Sequence, residues 1–162
     1  MSAIDYQELE GPIDEALLLR LGTMAGPLFT APGHPEPAAT EVAEQLRIAV
    51  NGHHWIHLCT ASADGQLVGF KVGRSNDPRT FESWVGGVLP NARKQGIASE
   101  LARRQEAWCR ANGFQFIQTE TAQDNAAMLT VILKQGFCIA GTYLDRGIHL
   151  KVILQKALQE SF

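Results

Sequence analysis

The stretch VLPNARKQGIASEL, residues 88–101, decides how this chain is read. An apolar run, WVGGV (84–88), leads to Pro90, and a helical pattern begins after Gly96, with Arg93 and Lys94 in between. A helix start leaves its first backbone N–H groups without partners inside the helix, and these carry partial positive charge. Anions are received there, and a phosphate needs close approach to the backbone. Gly96 permits that approach, Ala98 keeps the next turn low, and Arg93 and Lys94 add charge beside it. The spacing is neither G-x-G-x-x-G nor G-x-x-x-x-G-K-[ST], which sets aside the dinucleotide and P-loop readings. Taken alone, R-x-x-G-x-A also fits an ordinary glycine at a helix start.

Working outward, TFESWVGGVLP (80–90) reads as the strand before this turn, and residues 96–112 as the helix after it. Ile97, Leu101 and Trp108 share the apolar face of that helix, while Glu100/Arg104 and Glu106/Arg110 pair along its wet side. Two adjacent glycines, Gly86 and Gly87, weaken a strand and often mark close approach by a ligand. FQFIQTET (114–121) is the next strand, so 80–121 is a strand–helix–strand crossover. Asp124 is expected to cap a short helix ending near Leu133 and Gly136, followed by strands at CIAGTYL (138–144) and IHLKVIL (148–154).

Upstream, AIDYQEL (3–9) alternates as a first strand, and Gly11-Pro12 opens a helix carrying Ile13, Leu17, Leu21 and Met24 on one face. GPLFTAPGHPEPAAT (26–40), with four prolines, reads as a loop. Thr40 is the expected cap of a second helix with the stripe Val42, Leu46 and Val50, stopped by Asn51-Gly52. HWIHLCTAS (54–62) and QLVGFKVG (66–73) flank Asp64-Gly65, a hairpin signal. The order is β-α-α-β-β-β-α-β-α-β-β, a mixed α/β layout.

The 162 residues predict one domain, 1–162, with room for one core. At 45% hydrophobic and 19% charged residues the composition is that of a soluble globular chain. A net charge of −3 argues against a nucleic-acid partner held by a basic face. No apolar run approaches the ~20 residues of a membrane span, and the acidic start MSAIDYQELE has no signal-peptide core. Cys59, Cys109 and Cys138 are odd in number and far apart, which predicts reduced thiols and a cytoplasmic location. In HHWIH (53–57) no third ligand stands at a zinc spacing, so no metal is expected; His53 and His54 read instead as histidines at a helix C-terminus.

VLPNARKQGIASEL resembles the pyrophosphate-binding segment of the GNAT superfamily of N-acetyltransferases, Q/R-x-x-G-x-G/A after a strand ending V-x-P. A second segment, DNAAMLTVILKQGF (124–137), is similar to the family's N-x-x-A…K-x-G-F, with Asn125, Lys134, Gly136 and Phe137 in place. The resemblance is specific over about residues 66–144. It implies an α/β (α+β) fold: a mixed, mostly antiparallel sheet of about seven strands, helices on both faces, and a splay between the fourth and fifth strands. It also implies acetyl-CoA as acyl donor and an amine acceptor, a primary amine of a small molecule or a peptide.

Residue by residue, the resemblance implies that pantetheine pairs with the backbone at Val88 and Leu89, with Gly86 and Gly87 keeping that edge low. The diphosphate falls on N–H groups from Gln95 through Gly96, Ile97 and Ala98 to Ser99, flanked by Arg93 and Lys94. Asn125 either bonds pantetheine or caps its helix, and Lys134 either meets phosphate or is simply solvated. Glu82 is the candidate general base, and a backbone N–H near Val88 the candidate oxyanion donor. By alternation Glu82, Trp84, Gly86 and Val88 share one face. Phe29 and His34 are candidate acceptor contacts, as is Trp84, which also reads as a core-edge residue. Where the family often has a tyrosine acid this chain has Ile132, and Tyr143 on the next strand is the candidate substitute. Two other classes fit fewer residues: a non-catalytic acyl-CoA sensor, and a structural domain whose glycines are purely conformational. A homodimer is compatible with the family but demanded by nothing in the sequence.

Overall fold

The computed structural model describes residues 2–30 and 33–159. Its strands are β1 (Ile4–Glu10), β2 (Trp55–Ala63), β3 (Gln66–Ser75), β4 (Thr80–Val88), β5 (Phe116–Ala122), β6 (Cys138–Asp145) and β7 (His149–Ala157). Its α-helices are α1 (Glu15–Ala25), α2 (Ala39–Val50), α3 (Ile97–Ala111) and α4 (Ala126–Lys134). The strands form one mixed sheet in the order β1-β2-β3-β4-β5-β7-β6, with β4 and β5 parallel. This is the mixed, mostly antiparallel architecture that the resemblance implies. Two compact units share the chain, residues 1–76 with 85–105 and residues 77–84 with 106–162, and the boundary falls inside β4 and α3.

In the first unit, β1, β2 and β3 are antiparallel neighbours, and β2 and β3 turn at Asp64 (φ 51°) and Gly65 (φ 78°). Cys59, Ala61, Val88, Ala92, Ile97 and Leu101 pack together under the first half of α3. Alternation sends Leu58, Phe70 and Val72 to the other face, where α1 packs on β3 and on α2. Val42, Leu46 and Val50 are fully buried, as their spacing requires. Asn51 joins the two helices' ends: its side chain accepts from the Ile13 N–H and donates to the Ile13 carbonyl, both at 2.9 Å.

In the second unit, Phe81 stands edge-to-face to Trp108 at 5.1 Å and to Phe114 at 5.3 Å. Ile132 of α4 packs on Val152 and Leu154. The parallel ladder joins Thr80–Glu82 to Phe116–Gln118, three pairs among the described residues. A ladder that short is what the expected splay calls for.

Several local expectations are corrected. Asp14, not Gly11-Pro12, starts α1, because its carboxylate accepts from the Leu17 N–H at 2.8 Å. Thr40 lies inside α2, whose cap position is Ala38 with no side-chain bond. Within the supposed loop, Gly26–Phe29 is a 3-10 helix; Ala31 and Pro32 of that stretch lie outside the described residues. Asn125, not Asp124, caps α4, accepting from the Met128 N–H at 3.2 Å.

The alternation of β4 also fails. Phe81 meets Trp108 and Val88 shares a cluster with Ile97, so both face α3 although seven residues apart. Strict alternation puts residues at odd separation on opposite faces, so β4 carries one extra residue. At Gly86 a Cβ would stand 2.7 Å from the Phe70 carbonyl oxygen. At Gly87 a Cβ would stand 2.5 Å from Leu28 Cδ1. What approaches these two glycines is the chain itself, where the sequence suggests a ligand.

Candidate functional site

The turn after β4 is built from its glycine outward. Leu89 donates its N–H to the Val68 carbonyl at 2.8 Å, which holds the end of β4 on β3. Pro90–Ala92 make a 3-10 turn, and the Ala92 N–H returns to the Leu89 carbonyl at 2.9 Å. Both backbone groups of Leu89 thus have partners within the chain. Lys94 then adopts φ 65° and Gly96 φ 76°. A lysine in the left-handed region costs about 1–2 kcal/mol, the kind of backbone strain that gathers at functional turns. The reversal lets α3 start at Ile97 with its axis open at the N-terminus.

The Glu100 N–H is the first to reach back along the helix, to the Gly96 carbonyl at 3.0 Å. The N–H groups of Ile97, Ala98 and Ser99 precede any i−4 carbonyl of this helix and point out of its end. Val88, Ala92, Arg93, Lys94, Gly96, Ile97, Ala98 and Ser99 line one open concavity of about 320 Å³. Nothing stands within 4 Å of the place a Cβ on Gly96 would take. Arg93, Lys94, Gln95, Ala98 and Ser99 are exposed, while Ile97 is anchored in the core. The structure therefore brings most of the expected phosphate-turn residues to one cavity; Gln95 turns its amide back to the Ala92 carbonyl at 3.3 Å.

A polar network holds this helix end. Glu100 receives Arg103 and Arg104, whose hydrogen bonds draw its carboxyl down to about 2. Arg104 continues to Glu8 of β1 at 3.3 Å and stacks over the Tyr6 ring at 4.8 Å. Glu8 also meets the fully buried His57, Nε2 to Oε1 at 2.9 Å. Burial pushes the His57 imidazole below its ordinary value, against the opposing pull of Glu8. His53, by contrast, lies 3.1 Å from the Val50 carbonyl at the end of α2, and among the described residues no three His, Cys, Asp or Glu side chains gather as a metal site.

The second unit carries a different kind of surface. Glu82 registers with Gln118, and Gln118 accepts from Gln155 at 2.7 Å. Alternation from Gln118 puts Glu120 on the same face, away from the buried Phe81 and Ile117. Tyr143 of β6 donates its hydroxyl to Glu120 at 2.9 Å. Partial desolvation, then the Glu120 hydrogen bond, then the charges of Glu120, Asp145 and Glu82, push the Tyr143 phenol up to about 12. Three carboxylates thus act on one phenol on a half-exposed face, an arrangement suited to holding a cation or accepting its proton. Glu82 and Tyr143 are candidates from the sequence; Glu120 and Gln118 join them here only by register and hydrogen bonding. The signal for them was the alternation in FQFIQTET, which is useless without the register.

The remaining candidates are dispersed. Phe29 ends the 3-10 helix half-buried, His34 is exposed in the loop beyond it, and Trp84 is half-buried in β4. Lys134 is exposed in the last turn of α4, where its charge suits the carbonyl end of the helix. Ile132 is buried in the α4 core. No helix among the described residues is long and apolar enough to cross a membrane.

No curated protein sequence matches the chain. Among solved structures, one assigned to the GNAT family from Desulfovibrio desulfuricans superposes with a TM-score of 0.71 at 19% identity, covering 97% of this chain and 100% of that one. An aminoglycoside 6'-N-acetyltransferase complexed with coenzyme A gives 0.68 at 15% identity, covering 94% of this chain and 98% of that one. The yncA protein of Salmonella typhimurium, with its cofactor acetyl-CoA, gives 0.63 at 17% identity, covering 95% of each. These likenesses establish the fold. The sequence itself matches the model of the acetyltransferase (GNAT) family over residues 21–137, which takes in the turn at Gly96, the crossover and α4, and the chain belongs to that family of acyltransferases.

Proposed function

We infer that this acetyltransferase moves an acetyl group from acetyl-CoA to a primary amine of a small molecule or a peptide, by direct transfer with both substrates bound. The observation that carries the donor is the turn at Gly96: left-handed, bare within 4 Å, and opening onto the N–H groups of α3. Two of the superposed structures hold acetyl-CoA or coenzyme A. The residues present fit such a donor: amide hydrogens of Ile97 to Ser99 for the diphosphate, the charges of Arg93 and Lys94 beside it, and Val88 at the strand end for the pantetheine arm.

For the acceptor the support is the carboxylate face. An amine arrives as an ammonium and must give up a proton before it can attack. Glu82 or Glu120 takes that proton; the C–N bond forms, the C–S bond breaks, and the coenzyme A thiolate leaves. A phenol held near 12 is a weaker acid than a thiol of roughly 8.5, so Tyr143 is a poor donor to that thiolate. Its hydroxyl instead orients Glu120, and the thiolate takes its proton from water. A backbone N–H near Val88 remains the candidate for the developing oxyanion.

Thiol release from acetyl-CoA, measured against a panel of primary amines, tests the reading. At least one amine should exceed the hydrolysis background, and Glu120→Gln or Glu82→Gln should lower kcat at least tenfold with coenzyme A affinity unchanged. Tight donor binding with no amine above background would point to an acyl-CoA sensor, the reading that Ile132 at the usual tyrosine position favours. Unaltered kcat in both variants would remove the carboxylates from the chemistry.

A further inference from the structure

Arg93 is positioned to do more than flank a diphosphate, because its side chain already has a partner. Its Nε donates to the Val88 carbonyl at 3.0 Å. Val88 is the last residue of β4, and Leu89 beyond it has its N–H on Val68 and its carbonyl on Ala92. The Val88 carbonyl is therefore the strand-end acceptor to which an amide N–H of a pantetheine arm can pair, and the guanidinium sits on it. Both residues line the same concavity as Gly96 and Ser99. The Arg93 backbone is extended, φ −70° and ψ 165°, and the left-handed Lys94 follows at once, so an exchange of partner needs only rotation of the Arg93 side chain.

The two partners differ in strength. A guanidinium gains more from an anionic phosphate, which it can grip with two parallel N–H bonds, than from one neutral carbonyl. Lys94 cannot stand in, since an ammonium is a point charge without that fork. We propose that Arg93 makes the donor site selective: its guanidinium covers the Val88 carbonyl until a diphosphate draws it away. Thioesters of coenzyme A then open their own pairing position, whereas neutral pantetheine thioesters must compete with the guanidinium. The proposal rests on the donor reading above and adds a residue that couples one half of the donor to the other.

Calorimetry with coenzyme A and with pantetheine, on wild-type protein, Arg93→Ala and Arg93→Gln, separates the parts. Arg93→Ala should bind coenzyme A about tenfold more weakly, having lost a charge-assisted contact, and pantetheine about fivefold more tightly, having lost the competitor. Arg93→Gln loses the charge but keeps an amide donor for Val88, so coenzyme A should weaken while pantetheine stays as in wild type. Arg93→Met, which retains the stem, replaces the alanine variant if urea melts show that the turn is disturbed. Pantetheine binding no better in Arg93→Ala or Arg93→Met than in wild type, or undetectable in all of them, overturns the gating role while coenzyme A binding to wild type still upholds the donor site. Failure of coenzyme A to bind wild-type protein would remove the donor reading, and the proposal with it.

Discussion

Gly96→Ala is the most informative single change, because Gly113 provides a matched control. Gly96 has φ 76° and Gly113 φ 80°, and nothing stands within 4 Å of the Cβ position at either. Neither alanine meets a steric clash, so each variant suffers backbone strain alone. That strain is about 1–2 kcal/mol for an L-residue in the left-handed region, offset by about 0.4–1 kcal/mol from a stiffer unfolded chain. Both variants should therefore lose about 1 kcal/mol and a few degrees, roughly 2–4 °C, in Tm. Their ligand behaviour should differ. The methyl at 96 enters the path by which a diphosphate reaches the Ile97, Ala98 and Ser99 amides, whereas the methyl at 113 caps the far end of α3. Losing even one charge-assisted hydrogen bond weakens binding about tenfold or more. Thermal melts and calorimetry with coenzyme A on the same samples read both quantities. Equal loss of stability with equal, undiminished coenzyme A affinity in the two variants would refute the claim that bare backbone at position 96 receives the donor.

Two further outcomes follow from local geometry. The Asn125 side chain is engaged with the Met128 N–H, so Asn125→Ala should cost about 1 kcal/mol of stability and Asn125→Asp should recover most of it, measured by urea denaturation; equal stability of all three would show that the cap is idle. His57 is fully buried with its imidazole pushed below the usual 6.5, so on acidification the unfolded chain takes the proton first. Stability should be insensitive to this group above about pH 6.5 and fall below it. His57→Gln should flatten that dependence below about pH 6.5 in urea midpoints, and an unchanged slope would assign the loss to other groups.

Much of the local structure was legible because its causes are local. The apolar stripe of α2, the Asp64-Gly65 hairpin and the Arg93–Gly96 turn each follow from the spacing of neighbouring residues. Caps were less legible: Asp124 and Asn125 are adjacent and chemically alike, and only the path of the backbone decides which carbonyl oxygen reaches the Met128 N–H. The 3-10 helix at Gly26–Phe29 hid for the same kind of reason, since Pro27 reads equally as loop or helix start.

The sequence by itself determined that a strand hands over to a helix at a glycine flanked by cations, the arrangement from which an anion site is expected. That could be read because the helix end, its unpaired amides and its charges all lie within about ten consecutive residues. Only the tertiary structure decided that Phe81 and Val88, seven residues apart, both pack against α3, and that Gly86 lies against the Phe70 carbonyl. Only it paired Glu82 with Gln118 and Tyr143 with Glu120, and set Arg93 on the Val88 carbonyl. Sheet register and side-chain partners depend on which distant segments meet, and no spacing along the chain encodes that.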